Sequence, residues 1–365
     1  MKNLLLFAFA FVLLASCQPK PVSNGLPSDF KIFKGTNIAH WLSQSDARGA
    51  ERDSFFQEKD VIAIKELGFD HIRLPIDEEQ MWDENGARHE EAFALMTNCI
   101  DWCIKHQLKV IVDLHILRSH HFNAEVKPLW TDPKEQEKFY QLWIELSAAL
   151  KKYSVGDVAY ELMNEAVADD PELWNNLVAN AVKTLREIEP ERIIVIGSNK
   201  WQSAQTFDVL KVPNDKNIIL SFHFYEPFLL THYHASWTNL RDYTGPVHYP
   251  GELLSQPEFD ALSADQQAIV KDHVCKIWNK EKMEEMMQLP IQKAKELGLQ
   301  LYCGEYGVIA GAPEEDRIRW YNDMISIFNK NGIASANWNY KSGSFGMELG
   351  DGTKNEAMID AITKK

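Results

Sequence analysis

The chain has 365 residues, 45% of them hydrophobic, 25% charged and 11% aromatic, a globular composition that excludes low-complexity disorder. Five cysteines are too few for a disulfide-dense small domain, and a net charge of −15 argues against a nucleic-acid partner, which needs a basic stripe. Eleven tryptophans is a high count, and flat aromatic surface on that scale suits a binder of sugars, although core packing also absorbs tryptophan.

Lys2 precedes an apolar run of twelve, Leu4 to Ala15, too short to span a bilayer and placed like the core of a signal peptide. It ends Leu14-Ala15-Ser16-Cys17, which resembles the lipobox of bacterial lipoproteins, where the cysteine becomes the lipid-carrying first residue after cleavage. On that resemblance residues 1–16 are a signal peptide and Cys17 bears the lipid. Residues 17–28, with three prolines between Gln18 and Pro27, are a tether. Residues 29–365 are then one exported domain, periplasmic or at the cell surface, meeting the membrane only through its anchor. An ordinary secretory signal with a chance cysteine is the alternative. No later segment is apolar enough to cross a membrane. The other cysteines show no C-x-x-C spacing, so a zinc ribbon is not expected. Cys99 and Cys103 share a helical face, where buried thiols are expected and a disulfide is the minority reading.

Short β-branched runs then alternate with longer amphipathic ones. Strands are predicted at Phe30–His40, Phe69–Ile76, Lys109–Ile116, Val158–Glu165, Arg192–Asn199, Asn217–Tyr225, Gln300–Gly307 and Ile333–Tyr340. Helices are predicted at Glu58–Leu67, Glu91–His106, Pro133–Tyr153, Pro171–Ile188, Phe207–Val212 (short), Lys280–Leu297, Glu314–Asn331 and Asn355–Lys365. Eight such units predict an α/β fold, a (β/α)8 barrel forming a single catalytic domain. A doubly wound open sheet is the runner-up, but no glycine-rich loop follows the first strand. The connection from Glu226 to Cys275 is unusually long, which marks a functional loop, and carries His232, Tyr233, His234, Trp237, Tyr243, His248 and Tyr249.

Side chains alternate faces along a strand, so parity picks out what each strand turns toward the barrel axis. Arg73 follows His71, His115 follows Asp113, Glu165 follows Glu161 and Met163, and His223 and Tyr225 follow Ser221. Glu305 follows Leu301 and Cys303, and Trp338 follows Ala334 and Ala336. The C-terminal ends of a parallel barrel meet at one mouth, where active sites of this fold lie. Two carboxylates about 5–5.5 Å apart there suit glycoside hydrolysis with retention, one as nucleophile and one as acid/base. Glu161 shares parity with Glu165 but sits four residues deeper, roughly 13 Å down a regular strand, and reads as a core carboxylate paired inside.

These segments together resemble glycoside hydrolase family 5, the retaining (β/α)8 family that includes many cellulases. The carriers are Gly-Phe-Asp-His-Ile-Arg-Leu-Pro-Ile around Arg73, Val-Ile-Val-Asp-Leu-His ending at His115, and Tyr-Glu-Leu-Met-Asn-Glu ending at Glu165. Ser-Phe-His-Phe-Tyr, Gly-Glu-Tyr-Gly and Asn-Trp-Asn-Tyr complete the ordered set, with Ala166 standing where the family often has proline. The resemblance implies Glu165 as acid/base, Glu305 as nucleophile and Arg73 as its support. It makes Asn164 the partner of a sugar 2-hydroxyl, brings in His115, His223 and Tyr225, and makes Trp338 the floor of the subsite before the scissile bond. Asn37 and His40 rest on a looser match to the first strand.

Trp201 is a candidate for stacking a sugar, as are Trp41 and Trp237. His115, His120 and His121 resemble a metal cluster only superficially, since the first strand carries no H-x-H and no H-E-x-x-H occurs; no metal and no cofactor is expected. Gly343, Gly346, Gly350 and Gly352 read as turns lining the cleft. The expected activity is internal cleavage of a β-1,4-linked glucan, with poly- or oligosaccharide as the partner. A β-mannan or xyloglucan hydrolase with the same machinery, or a glycan-binding lipoprotein without catalysis, are the alternatives. The pair Glu165 and Glu305 speaks against the last.

Overall fold

The computed structural model describes residues 30–341 and 343–364; the signal segment, Cys17 and the tether lie outside the described residues. Eight strands follow in chain order: β1 Lys34–Asn37, β2 His71–Asp77, β3 Lys109–Ile116, β4 Val158–Glu161, β5 Ile194–Gly197, β6 Ile218–Phe224, β7 Gln300–Tyr306 and β8 Ala334–Asn337. Each pairs in parallel with its sequence neighbour, and β8 returns to β1 with Gly35 opposite Ala336, which closes the expected (β/α)8 barrel.

Helix starts follow from local chemistry. Asp132 and Asp170 accept the N–H groups of Lys134 and Glu172 at 2.9 Å, while Pro133 and Pro171 supply a fixed φ at the first helical position. Helices Pro133–Leu150 and Pro171–Ile188 begin there. At the other end, Gly298 and Gly332 adopt φ 64° and stop two helices just before β7 and β8. Most tryptophans are buttresses. The Trp143 indole donates to the Leu162 carbonyl, that of Trp174 to Gly197 and that of Trp130 to Val167, pinning the helical layer against the tops of β4 and β5. The large core lies between barrel and helices. A smaller one, Phe30, Ile32, Ile111, Ala159, Ile193, Val195, Ile219, Tyr302, Ala334 and Ala336, fills the barrel itself.

Four expectations need correction. First, Leu301 and Cys303 do not share the inward face with Glu305: they join the outer core, and Tyr302 points in. The register explains it, because Phe222 faces Cys303 while His223 faces Glu305, so Gly304 is an extra residue that resets parity. Second, the β4 ladder ends at Glu161, and Glu165 has a left-handed φ of 45°, so it does not sit on a regular strand. Third, Phe207–Val212 is not helical. Pro213 disfavours the helical region at Val212, and Asn175 takes the backbone groups of Val209 and Lys211 instead. Fourth, Lys280–Leu297 is two helices, Lys280–Met286 and Gln288–Leu297. Pro290 would clash with the carbonyl of Met286 in a continuous helix and fits the first turn of a new one.

The connection after β6 folds on itself. It contains helices Phe228–Thr231, Gln256–Asp260 and Ala264–Val270, and Gly251–Glu252 pairs antiparallel with Ile277–Trp278. Tyr243 and Tyr249 are buried within it, and His248 pairs with Glu258 at its surface. Cys99 and Cys103 are buried free thiols. Among the described residues no helix is long and apolar enough to cross a membrane.

Candidate active site

Arg73, on β2, is wholly buried at the barrel mouth and spends its guanidinium on five side chains. Nε donates to Glu161 at 2.6 Å, Nη1 to Glu305 at 2.7 Å and to Asn37 at 3.0 Å, and Nη2 to Asn164 at 2.8 Å with Asp113 at 3.0 Å. Burial alone would discharge it, but the carboxylates of Asp113, Glu161 and Glu305 hold it well above its ordinary value. Asn37 anchors this fork, since its amide nitrogen donates to the carbonyls of Gly304 at 2.9 Å and Asn337 at 3.2 Å. Glu161 is therefore paired inside, as expected, but it pairs with the arginine that holds Glu305.

Glu305 takes Arg73 on one oxygen and the Tyr225 hydroxyl, at 2.9 Å, on the other. Burial, with Glu305 and Glu165 alongside, pushes the Tyr225 phenol well above its ordinary value, so it keeps the proton it donates. Glu165 has no cation against it. Its Oε1 lies 2.9 Å from Nδ1 of His223, and burial, then Arg73 and His115, drive that imidazole well below its usual value. A neutral ring does not pull the proton off Glu165, as an imidazolium would. One oxygen of each glutamate and a ring nitrogen of His223 lie within 4.8 Å of one another.

The two carboxyls are thus distinguished by environment. Burial and the nearby Glu305 charge push Glu165 well above the ordinary carboxylate range. Burial pushes Glu305 up too, but Arg73, His115 and the Tyr225 hydrogen bond oppose it, so the proton shared by the pair resides on Glu165. Asp113 is likewise raised to about 7 by burial, against the pull of Arg73.

Both glutamates open on a cleft of about 1070 Å³, lined also by His115, Asn164, His223, Tyr225, Trp201, Trp237 and Trp338. Asn164 turns its amide oxygen to Arg73, which leaves the amide nitrogen as its free donor for the cleft. Trp338 stacks on His115 at 5.6 Å and 10°, and His115 is fixed by Asp113 at 2.7 Å. Trp201 and Trp237 are 45% and 55% exposed, as stacking platforms must be. Trp41 is buried with its indole on the Arg52 carbonyl and packs instead. His40 and Gly343 line the same cleft, and of the aromatic residues singled out in the long connection His232 and Trp237 reach it.

His115, His120 and His121 do not converge on one site. His115 faces Asp113, His120 accepts the Val167 N–H and His121 accepts the Asn123 N–H. Among the described residues, the group whose donor atoms come close enough to share a cation is Glu165, His223 and Glu305, at the barrel mouth. Sequence reasoning passed over Gln202. It is buried beside Glu165 on a loop with no periodicity to read, next to Trp201 in the sequence.

The model of the cellulase family, glycosyl hydrolase family 5, matches residues 33–344. Endoglucanase C of Acetivibrio thermocellus is 35% identical over 318 residues, covering 85% of this chain and 92% of that protein. Cellodextrinase A of Ruminococcus flavefaciens is 33% identical, covering 83% and 84%. Among solved structures, Thermotoga maritima Cel5A in complex with mannotriose superposes with a TM-score of 0.72 at 22% identity, covering 92% of this chain and 98% of that one, which speaks to fold.

Proposed function

The chain belongs to glycosyl hydrolase family 5 and is a glycoside hydrolase; on that premise we propose that Glu305 is its nucleophile, Glu165 its acid/base and an internal β-1,4-glucosidic bond its target. The observation that carries the reading is the spacing and inequality of the pair. Oxygens within 4.8 Å of one another leave no room for a water between carboxylate and sugar, which suits retention and not inversion. Glu305, ionised against Arg73 and Tyr225, attacks the anomeric carbon. As that bond forms, the bond to the leaving oxygen breaks and Glu165 delivers its proton to that oxygen. Glu165, now a carboxylate, takes a proton from water; the water oxygen attacks the same carbon, and the ester to Glu305 is released. Asn164 donates to the 2-hydroxyl, and Trp338, held flat by His115, carries the ring before the scissile bond. Trp201 and Trp237 offer faces for the far side of the chain.

The names of the relatives favour a β-1,4-glucan, cleaved internally as by Endoglucanase C or as short oligomers as by Cellodextrinase A. Products from cellulose, glucomannan, xyloglucan and mixed-linkage glucan discriminate among these and the β-mannan and xyloglucan readings. For the roles, each glutamate removed leaves a different hole. With an activated glycoside and added azide, Glu305→Gly should yield the α-glycosyl azide and Glu165→Ala the β-anomer, both slowed by several orders of magnitude on polymer. Swapped anomers in the NMR spectrum would reverse the assignment. The lipobox-like Leu14-Ala15-Ser16-Cys17 supports anchoring of the exported enzyme to an envelope membrane through Cys17.

A further inference from the structure

We infer that Gln202 is a positioning residue that ties the acid/base and the nucleophile's arginine into one hydrogen-bonded frame; this rests on the roles proposed above for Glu165 and Glu305. The Gln202 side-chain oxygen accepts the backbone N–H of Glu165 at 2.8 Å. Its nitrogen donates to Glu161 at 3.2 Å and to the Ser221 hydroxyl at 3.0 Å. The amide cannot be turned round, since a backbone donor must meet its oxygen and a carboxylate its nitrogen. Glu161 in turn holds Arg73, and Arg73 holds Glu305. One fully buried side chain therefore sets where Glu165 leaves the barrel and completes the partners of the carboxylate behind Glu305.

The backbone around it is built for this contact. Glu165, Lys200, Trp201 and Gln202 have φ of 45°, 52°, 60° and 51°, each unfavourable for a residue with a Cβ. The two strained segments are laced together. The Trp201 N–H donates to the Ala166 carbonyl at 3.2 Å, and the Asn199 side chain both accepts from and donates to the backbone of Ala168 at 2.9 Å. Gly197 supplies the space, because a Cβ there would lie 2.3 Å from Cγ of Gln202. Mere filling of a gap does not need this lacing or an amide with every polar atom bonded. Without Gln202 the Glu165 N–H has lost its partner and the left-handed turn its restraint, so the acid leaves the leaving oxygen.

The test compares Gln202→Met and Gln202→Glu with wild type, on a β-1,4-gluco-oligosaccharide and on an aryl β-glycoside whose leaving group needs no acid. Gln202→Met should lower kcat on the oligosaccharide by about 10- to 100-fold with KM little changed, as a misplaced catalytic group does. It should lose much less in forming the intermediate from the aryl glycoside. Gln202→Glu keeps the shape, and when protonated it accepts from Glu165 and donates to Glu161. It should therefore work at low pH and fail above a new alkaline inflection below that of wild type. If Gln202→Met lowers only the melting temperature, or if Gln202→Glu has the wild-type pH profile, the inference is overturned; the second arm decides should Gln202→Met not fold. Glu165→Ala is run alongside. Its retaining normal oligosaccharide turnover would instead bring down the acid/base assignment.

Discussion

Asp77 ends β2 buried, with one oxygen taking the Gln44 N–H at 2.7 Å and the other unpartnered. Burial pushes its carboxyl up to about 7. In the unfolded chain the same group titrates near 4. Between those values the folded protein holds a proton that the unfolded chain has lost, so stability falls as pH climbs from 4 to 7, by up to roughly 4 kcal/mol for this group. Asp77→Asn keeps an acceptor for Gln44 and never ionises. Its denaturation midpoint should fall less than that of wild type over this window; parallel curves for the two proteins would show that Asp77 does not carry the effect. The sequence could be read for which side chains reach the mouth, since alternation alone pointed Arg73, His115 and His223 there. It could not be read for proton affinities, nor for Gln202, because both depend on neighbours distant in the chain.

Strand β7 shows how an element departs from its own pattern. Alternation from Leu301 through Cys303 to Glu305 is regular in sequence, and the bulge at Gly304 makes it misleading: Tyr302 and Glu305 both point in. A glycine within a strand is the one visible sign of such a slip. Likewise Pro290 marks the break in the helix before β7, and Pro213 the failure of Phe207–Val212. Strand β5 carries the corresponding test. Gly197→Ala places a methyl inside Gln202, so it should lower kcat and cost about 1–3 kcal/mol through overpacking. Gly350→Ala, with nothing within 4 Å of its Cβ, should do neither. Equal activity and melting curves for the two would mean that Gln202 moves aside freely.

For the whole molecule, eight alternations of strand and helix were enough to expect a closed barrel, because a parallel sheet of eight curls on itself. What folds between β6 and helix Lys280–Met286 was not legible, since short helices and a two-residue ribbon leave almost no periodicity. The proposed anchor belongs to this scale too. Labelled fatty acid should enter the wild-type protein and not Cys17→Ala; equal labelling would remove Cys17 as the attachment point. Wild type should also sediment with membranes, provided its cysteine bears more than one acyl chain, as a single chain binds only marginally.

The segment from Glu226 to Trp278 leaves the barrel after Tyr225, folds around its own ribbon, and is fastened to helix Glu314–Asn331. The Trp320 indole donates to the Glu226 carbonyl, and the Tyr249 hydroxyl meets Asp323 at 2.8 Å. It lends the cleft Phe228, His232 and Trp237, yet none of the hydrogen bonds that hold Glu165, Glu305 or Arg73. These three cleft-lining side chains therefore come from a stretch of chain separate from the residues that hold the reacting carboxyls. Side chains on this outer wall can therefore be exchanged without removing a hydrogen bond from the frame around Glu165, Glu305 and Arg73.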